Sequence, residues 1–229
     1  MEFKPHGYQQ HCIDKIMGIK KIGLFLDMGL GKTIVTLSAI KELKFYRFQV
    51  RKVLIIAPKK VAEGTWSKEK NKWEHTKNLR ISRVLGSANQ RIKALYEKAD
   101  IYIINRDNVT WLVDFYKNNW DFDMVVIDES SSFKSPTAKR FKSLASVTHR
   151  IDRLIELTGT PSPNGLKDLW AQIYLLDQGQ RLEKRYTHFR EKYFQPGKRG
   201  QDGTVYSYDI KDGSEAAILN KISDICVSM

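Results

Sequence analysis

The sequence predicts an α/β fold in which a parallel β-sheet is covered by helices on both faces. Three observations predict it. Apolar runs of strand length recur along the 229 residues. Longer amphipathic stretches alternate with them, and a Gly-rich loop joins the first run to the first of those stretches. The runs are continuously apolar rather than alternating, as strands buried on both faces require.

Strands are expected over residues 22–26, 52–56, 80–84, 101–104, 123–127 and 153–157. Each is far too short to span a bilayer. Helices are expected over 33–43, 61–73, 88–98, 108–116 and 137–147, and a further stretch over 165–176 follows the last strand. Strand–helix–strand succession makes neighbouring strands parallel. Residues 1–178 therefore read as one domain.

From residue 179 the pattern changes. Arg181 to Gly200 holds seven Lys/Arg and two Glu, with Tyr186, Phe189, Tyr193 and Phe194 interleaved. Tyr186, Phe189 and Tyr193 recur at helical spacing, which favours packing on a core over contact with a nucleic acid. Lys198 and Arg199 lie in a Pro-Gly loop and are candidates for DNA contact. Residues 204–208 alternate like half of a hairpin. Residues 179–229 read as a small basic, aromatic extension rather than a second full domain.

The chain is 41% hydrophobic, enough to build a core. Lys and Arg number 39 against 26 Asp and Glu, a net charge of +13. That excess points to a polyanionic partner, nucleic acid first and an anionic membrane surface second. The amino terminus, Met1-Glu2-Phe3-Lys4-Pro5-His6, has no apolar signal core. Cys12 and Cys226 show neither metal-ligand spacing nor a disulfide framework, so no disulfide and a reducing cytoplasm are expected.

The chemistry concentrates after three of the strands. Leu26-Asp27-Met28-Gly29-Leu30-Gly31-Lys32-Thr33 is a phosphate-binding loop between a strand and a helix. Gly29 and Gly31 keep backbone N–H groups open to phosphate oxygens, Lys32 meets the terminal phosphates and Thr33 ligates Mg²⁺. The strict pattern begins with Gly where this chain has Leu26. Asp128-Glu129 follows the run Met124-Val125-Val126-Ile127, so both carboxylates sit at a strand's carboxyl end, the edge that also carries the phosphate loop. Asp128 is assigned to Mg²⁺ and Glu129 to the attacking water. Thr158-Gly159-Thr160 follows another strand, with hydroxyls placed to link the γ-phosphate site to other contacts.

These blocks, in this order, resemble superfamily-two helicases, and most closely the Swi/Snf-like branch of double-stranded DNA translocases. The resemblance covers residues 3–178, and the tail is similar to phage members of the branch. Asp27-Met28-Gly29-Leu30-Gly31-Lys32-Thr33 matches the branch's first motif, which tolerates a residue other than Gly at Leu26. Met28 and Leu30 join the nucleotide-binding set on that basis. Pro5-His6-Gly7-Tyr8-Gln9-Gln10 resembles its glutamine motif, where Gln9 would read the adenine edge. Ala57-Pro58 with Trp66 resembles motif Ia, and Leu157-Thr158-Gly159-Thr160-Pro161 with Asn164 resembles motif III. The resemblance implies an amino-terminal RecA-like P-loop NTPase lobe that uses ATP and Mg²⁺ on double-stranded DNA, in the host cytoplasm if the chain is phage-encoded. Two departures stand out. Ser130-Ser131 replaces the family's Ala-His. The arginine-bearing motif of the second RecA-like lobe is absent, so the chain reads as half of a motor, weak in hydrolysis by itself.

The DNA-facing positions implied by the family follow other strands at the same edge: Lys59 and Lys60, Asn105 and Arg106, Lys134 and Ser135, extended by Lys139 and Arg140. Basic groups and hydroxyls there suit phosphate contacts, which position a protein without reading sequence. Trp66 and Trp73, seven residues apart on one expected helix, read as core. Two other readings stay open: a non-catalytic nucleotide- and DNA-binding module of a larger assembly, and an RNA helicase lobe. A GTPase is set aside, because Asn71-Lys72-Trp73-Glu74 precedes the acidic pair and ends in Glu. A kinase would leave Glu129 and Thr158-Gly159-Thr160 without a purpose.

Overall fold

A computed structural model describes residues 1–198, 200, 202 and 204–229. Nine strands are described: β1 Lys21–Phe25, β2 Val53–Ala57, β3 Ile81–Val84, β4 Ile101–Asn105, β5 Met124–Asp128, β6 Arg153–Thr158, β7 Phe194–Pro196, β8 Tyr208–Ile210 and β9 Cys226–Ser228. The α-helices are α1 Gly7–Gly18, α2 Lys32–Lys41, α3 Trp66–Lys72, α4 Ala88–Tyr96, α5 Val109–Tyr116, α6 Lys139–Val147, α7 Leu169–Asp177, α8 Tyr186–Tyr193 and α9 Ser214–Ile222. Seven strands form one sheet in the order β3-β4-β2-β5-β6-β1-β9, with parallel pairing throughout. The α/β expectation therefore holds, and each of the six expected strands lies in this sheet.

The sheet divides the core in two. On one face Leu24, Leu26, Ile55, Val126 and Leu157 pack with Cys12, Ile16, Val35, Leu37 and Trp66. On the other, Phe25, Leu54, Ile56, Val125 and Leu154 pack with Leu112, Leu144, Trp170, Ile173, Phe189 and Ile218. β2 is buried along its whole length, which is why its run shows no alternation.

Local chemistry sets several boundaries. Ser87 starts α4 by accepting from the Gln90 N–H, while the Gln90 side chain accepts from the Ser87 N–H, a reciprocal capping box. The expected helix over 33–43 is shorter as an α-helix and passes into a π-helical turn, Glu42–Tyr46. The expected helix over 61–73 opens with another, Val61–Thr65. A widened turn keeps the apolar periodicity nearly intact, so a pattern read at 3.6 residues per turn does not separate the two.

The carboxyl-terminal segment is tied into this core. Phe189 is fully buried, and Trp170 meets Tyr186 edge-on at 5.6 Å. β7 and β8 pair antiparallel, Phe194 opposite Ile210, so the paired strand begins where the expected alternating stretch 204–208 ends. Arg199 lies outside the described residues. β9 lies beside β1 in the main sheet, with Gly23 opposite Cys226 and Phe25 opposite Ser228. A three-residue strand leaves no periodic signal, so the sequence did not announce it.

One polar group breaks the apolar pattern. Glu156 on β6 is completely buried, and among the described residues neither carboxylate oxygen has a hydrogen-bond partner. Burial drives its pKa well up, which favours the neutral form of the acid.

If residues after Gln178 are integral to the core, Phe189→Ala should cost about 3–5 kcal/mol in urea denaturation. A loss below about 1 kcal/mol would show instead a dispensable appendage.

Candidate nucleotide site and DNA-facing edge

Strand order places the candidate groups. β6 lies between β1 and β5, with Phe25 opposite Thr158 and Leu157 opposite Asp128. The loops that leave β1, β6 and β5 therefore emerge side by side at the carboxyl edge of the sheet, the edge at which α/β folds hold ligands. Lys32, Gly159 and Asp128 are brought together by this register alone.

The phosphate loop has the backbone its glycines predict. Gly29 and Gly31 have φ of 88° and 79°, in the left-handed region. A Cβ on Gly31 would also come within 2.6 Å of Gln9 Nε2, so a side chain there would displace the end of the Gln9 amide from the site. Leu26, at the place of the pattern's first glycine, has no positive φ. Its N–H donates to the Thr158 carbonyl at 3.0 Å, and its side chain is fully buried. The backbone thus still bonds to β6 one residue past the end of β1, and a large apolar residue suits the position.

Lys32 begins α2, and its Nζ donates to the Leu26 carbonyl at 2.7 Å and the Asp27 carbonyl at 3.1 Å. The ammonium therefore sits at the start of its own loop. Gly159 lies against it: a Cβ there would be 3.4 Å from Leu26 O and 3.8 Å from Lys32 Nζ. Gln9 joins the same site. Its Oε1 accepts from the His6 N–H at 3.0 Å, and its Nε2 donates to the Leu30 carbonyl at 3.4 Å. Gln9, Gly29, Gly31, Lys32 and Thr33 line a cavity of about 440 Å³ together with Phe3, Glu69 and Trp73. Met28 projects from the loop and is 89% exposed, while Leu30 is half-buried.

The two tryptophans read as core differ. Trp66 is completely buried, yet its Nε1 donates to Asp128 Oδ2 at 2.9 Å. Trp73 forms part of the cavity wall, with Phe3 edge-on at 5.2 Å and its own Nε1 donating to Glu69 at 2.7 Å. Seven-residue spacing placed both on one face, but no local signal revealed either polar contact.

Asp128 is electrostatically poised. Burial pushes its carboxyl from the usual 3.8 up to about 6. The Trp66 hydrogen bond and the Lys32 charge oppose that rise, and the neighbouring Glu129 charge adds to it. Glu129 occupies the left-handed region at φ 59°, ψ 58°, a conformation that costs a non-glycine residue about 1–2 kcal/mol. Such strain gathers where a side chain is held for a purpose. The hydroxyl of Thr33, which lines the cavity, and the carboxylate of Asp128, at the same sheet edge, are hard oxygen donors of the kind that suits Mg²⁺ held jointly with substrate phosphates.

The positions assigned to DNA occupy the loops after β2, β4 and β5. Lys59 and Lys60 are exposed and make no ion pair among the described residues. Asn105 uses its side-chain oxygen to accept from the N–H groups of Asp107 and Asn108, at 2.9 and 3.0 Å, so its amide is partly committed to the loop. Arg106, next to it, is half-buried. Lys134 pairs with Asp168 at 3.4 Å, and Arg140 with Asp107 at 3.3 Å. Ser135 shares a hydrogen bond with Thr137 at 3.1 Å, and Lys139 at the start of α6 is exposed. Thr158 is buried and its Oγ1 accepts from the Thr160 N–H at 3.1 Å, while Thr160 itself is exposed.

Known proteins share this architecture. The model of a family described as the SNF2-related domain matches residues 8–223. The chain is 39% identical over 198 residues to protein p41 of Acyrthosiphon pisum secondary endosymbiont phage 1, covering 84% of this chain and 43% of that protein. It is 29% identical over 219 residues to the Homo sapiens DNA annealing helicase and endonuclease ZRANB3, covering 88% of this chain and 18% of that one. Among solved structures, the Sulfolobus solfataricus SWI2/SNF2 ATPase core in complex with dsDNA superimposes with a TM-score of 0.77 at 25% identity. That match covers 100% of this chain and 45% of the other. The chain thus spans less than half the length of each of these relatives.

The raised pKa of Asp128 has a stability consequence with a definite sign. The folded state favours the protonated carboxyl, so stability is lost as pH rises through about 6. Asp128→Asn keeps an acceptor for Trp66 and removes that loss. The shift is worth about 3 kcal/mol, so its Tm should exceed the parent's at pH 8 by roughly 6–12 °C and converge toward it near pH 4 in thermal melts. A lower Tm at pH 8 would contradict this account of Asp128.

Proposed function

The chain belongs to the SNF2-related domain family, and on that premise we propose that it is the ATP-binding lobe of a duplex-DNA-dependent ATPase of the translocating kind. One observation carries the reading: the β5–β6–β1 register brings the loops that carry Lys32 and Thr33, Gly159, and Asp128 with Glu129 out side by side at one sheet edge, with Lys32 and Thr33 also lining the adjoining cavity. Phosphoryl transfer to water asks for this set, a cation for the terminal phosphates, oxygens for a metal, and a carboxylate for the nucleophile.

In this reading Lys32 exchanges its bonds to the Leu26 and Asp27 carbonyls for phosphate oxygens. The N-terminal end of α2 presents its unpaired N–H groups to the same phosphates. Gln9 is positioned by His6 and Leu30 beside the cavity, where an amide can meet the edge of the base. Thr33 and Asp128 would hold Mg²⁺, which neutralises charge on the triphosphate. Trp66 fixes the Asp128 carboxyl, and Glu129 orients the attacking water and takes its proton.

Lys59, Lys60, Arg106, Lys134, Lys139 and Arg140, with Asn105 and Ser135, form the DNA-facing edge. The net charge of +13 supports a polyanionic partner. Thr158, Gly159 and Thr160 couple that edge to the nucleotide. Arginines that complete the ATP site belong to a second lobe, so these 229 residues alone turn over slowly.

Two measurements test the reading. The chain should bind ATP with Mg²⁺ and hydrolyse it about 10³–10⁵-fold more slowly than a complete two-lobed motor. Lys32→Ala should abolish binding. Rapid DNA-stimulated turnover by the isolated chain would refute the need for a second lobe, and tight binding with no turnover in any context would favour a non-catalytic module. For DNA, the double variant Lys59→Ala/Lys60→Ala should weaken duplex binding uniformly across sequences. It should also flatten the dependence of log K on log salt by about 1 per lost contact. An unchanged salt slope would remove these lysines from the interface.

A further inference from the structure

Gln172 lies in the middle of α7 and is completely buried. Its helix neighbours Leu169, Trp170, Ala171, Ile173, Leu175 and Leu176 are all buried and apolar. An amide in such surroundings is costly unless it is hydrogen-bonded. Gln172 has its partners, and they come from two different loops. Its Oε1 accepts from the Ser130 hydroxyl at 2.8 Å. Its Nε2 donates to the Pro161 carbonyl at 2.6 Å and to the Asp168 carbonyl at 3.0 Å. Two carbonyls on one side and a hydroxyl on the other fix which way the amide points.

The two loops are those that flank the candidate chemistry. Ser130 directly follows Glu129, whose left-handed backbone starts the turn Ser130–Phe133. Pro161 lies two residues beyond Gly159, beside which an added Cβ would be 3.8 Å from Lys32 Nζ, and three beyond Thr158, whose carbonyl accepts from the Leu26 N–H at 3.0 Å. One side chain therefore spans from the acidic pair to the loop that lies beside the phosphate-binding lysine. The same helix end reaches the DNA-facing edge. Asp168 pairs with Lys134 at 3.4 Å and accepts from the Asn164 N–H at 2.9 Å. A phosphate contact that drew Lys134 away from Asp168 would be felt at Gln172, four residues along, and through it at Ser130.

We propose that Gln172 is a positioning residue that couples DNA contact to ATP hydrolysis, by holding Ser130, and so Glu129, in register with the Thr158–Pro161 loop. The proposal rests on the ATPase reading above. It also gives a purpose to Ser130, which stands where relatives of the resembling branch carry Ala, in a chain that lacks the following histidine.

The test uses the full-length protein that carries this lobe, with Gln172→Met, which keeps the side chain's length and removes its hydrogen bonds. The second variant, Ser130→Ala, deletes only the hydroxyl. Each should lower the DNA-stimulated kcat about tenfold, within the range typical of coupling between sites. The KM for ATP and the Kd for duplex DNA should stay within about twofold of the parent, a split that a merely structural defect would not produce. The double variant should be no slower than the worse single variant, because both changes break one link. A DNA-stimulated kcat within about twofold of the parent in folded Gln172→Met, or losses that multiply in the double variant, would overturn the proposal. If Gln172→Met does not fold, Ser130→Ala decides by the same criterion. A parent protein without DNA-stimulated hydrolysis would overturn the ATPase reading itself, whereas a stimulated parent with indifferent variants overturns the coupling alone.

Discussion

The parallel ladder of β5, β6 and β1 is the constraint on which the site depends. Parallel strands project their carboxyl ends from one edge, and a slip of a single residue would turn every buried side chain to the opposite face. Here Asp128 is opposite Leu157 and Phe25 is opposite Thr158, so three loops start level with one another. Both faces of these strands are packed, which leaves no freedom to slip. The geometry of the candidate site is thus a consequence of core packing more than of any contact within the site.

Around that edge the structure places polar groups under tension with their surroundings. Asp128 is desolvated enough to titrate near 6, Glu129 sits in a strained backbone conformation, and Lys32 is held by carbonyls of its own loop. The burial of Asp128 and the backbone of Glu129 each cost free energy. Folding free energy is small in total, so a site that keeps such groups ready relies on the sheet core for its stability. β9 contributes to that support directly, since Met229 N–H donates to the Phe25 carbonyl at 3.1 Å and its carbonyl accepts from the Asp27 N–H at 3.2 Å.

The helices on the two faces have different tasks. α1 carries Gln9 to the phosphate loop and α3 carries Trp66 to Asp128, so the face formed by α1 to α3 supports the candidate nucleotide site. On the other face α7 bridges the acidic loop and the Thr158–Pro161 loop and meets Lys134 at its amino-terminal end. The sheet separates these two sets of contacts, and the loops at its edge are where they join.

The sequence by itself determined six of the seven strands of the main sheet, the phosphate loop and the acidic pair, because each is a local pattern: an apolar run of fixed length, glycines at fixed spacing, carboxylates at a strand end. It also placed Tyr186, Phe189 and Tyr193 on a packing helix, through their periodicity. Tertiary structure alone decided that Leu26 can replace a glycine, that Trp66 holds Asp128, that Trp73 walls the cavity, and that Gln172 spans two loops. It likewise decided that residues 226–228 add a strand beside β1. These facts join residues far apart in the chain, such as Trp66 with Asp128 or Ser130 with Gln172, and a hydrogen bond between distant residues leaves no periodic trace in either segment. Local propensity is written in the sequence one window at a time, whereas strand order and the contacts it enforces arise only when the whole core is packed.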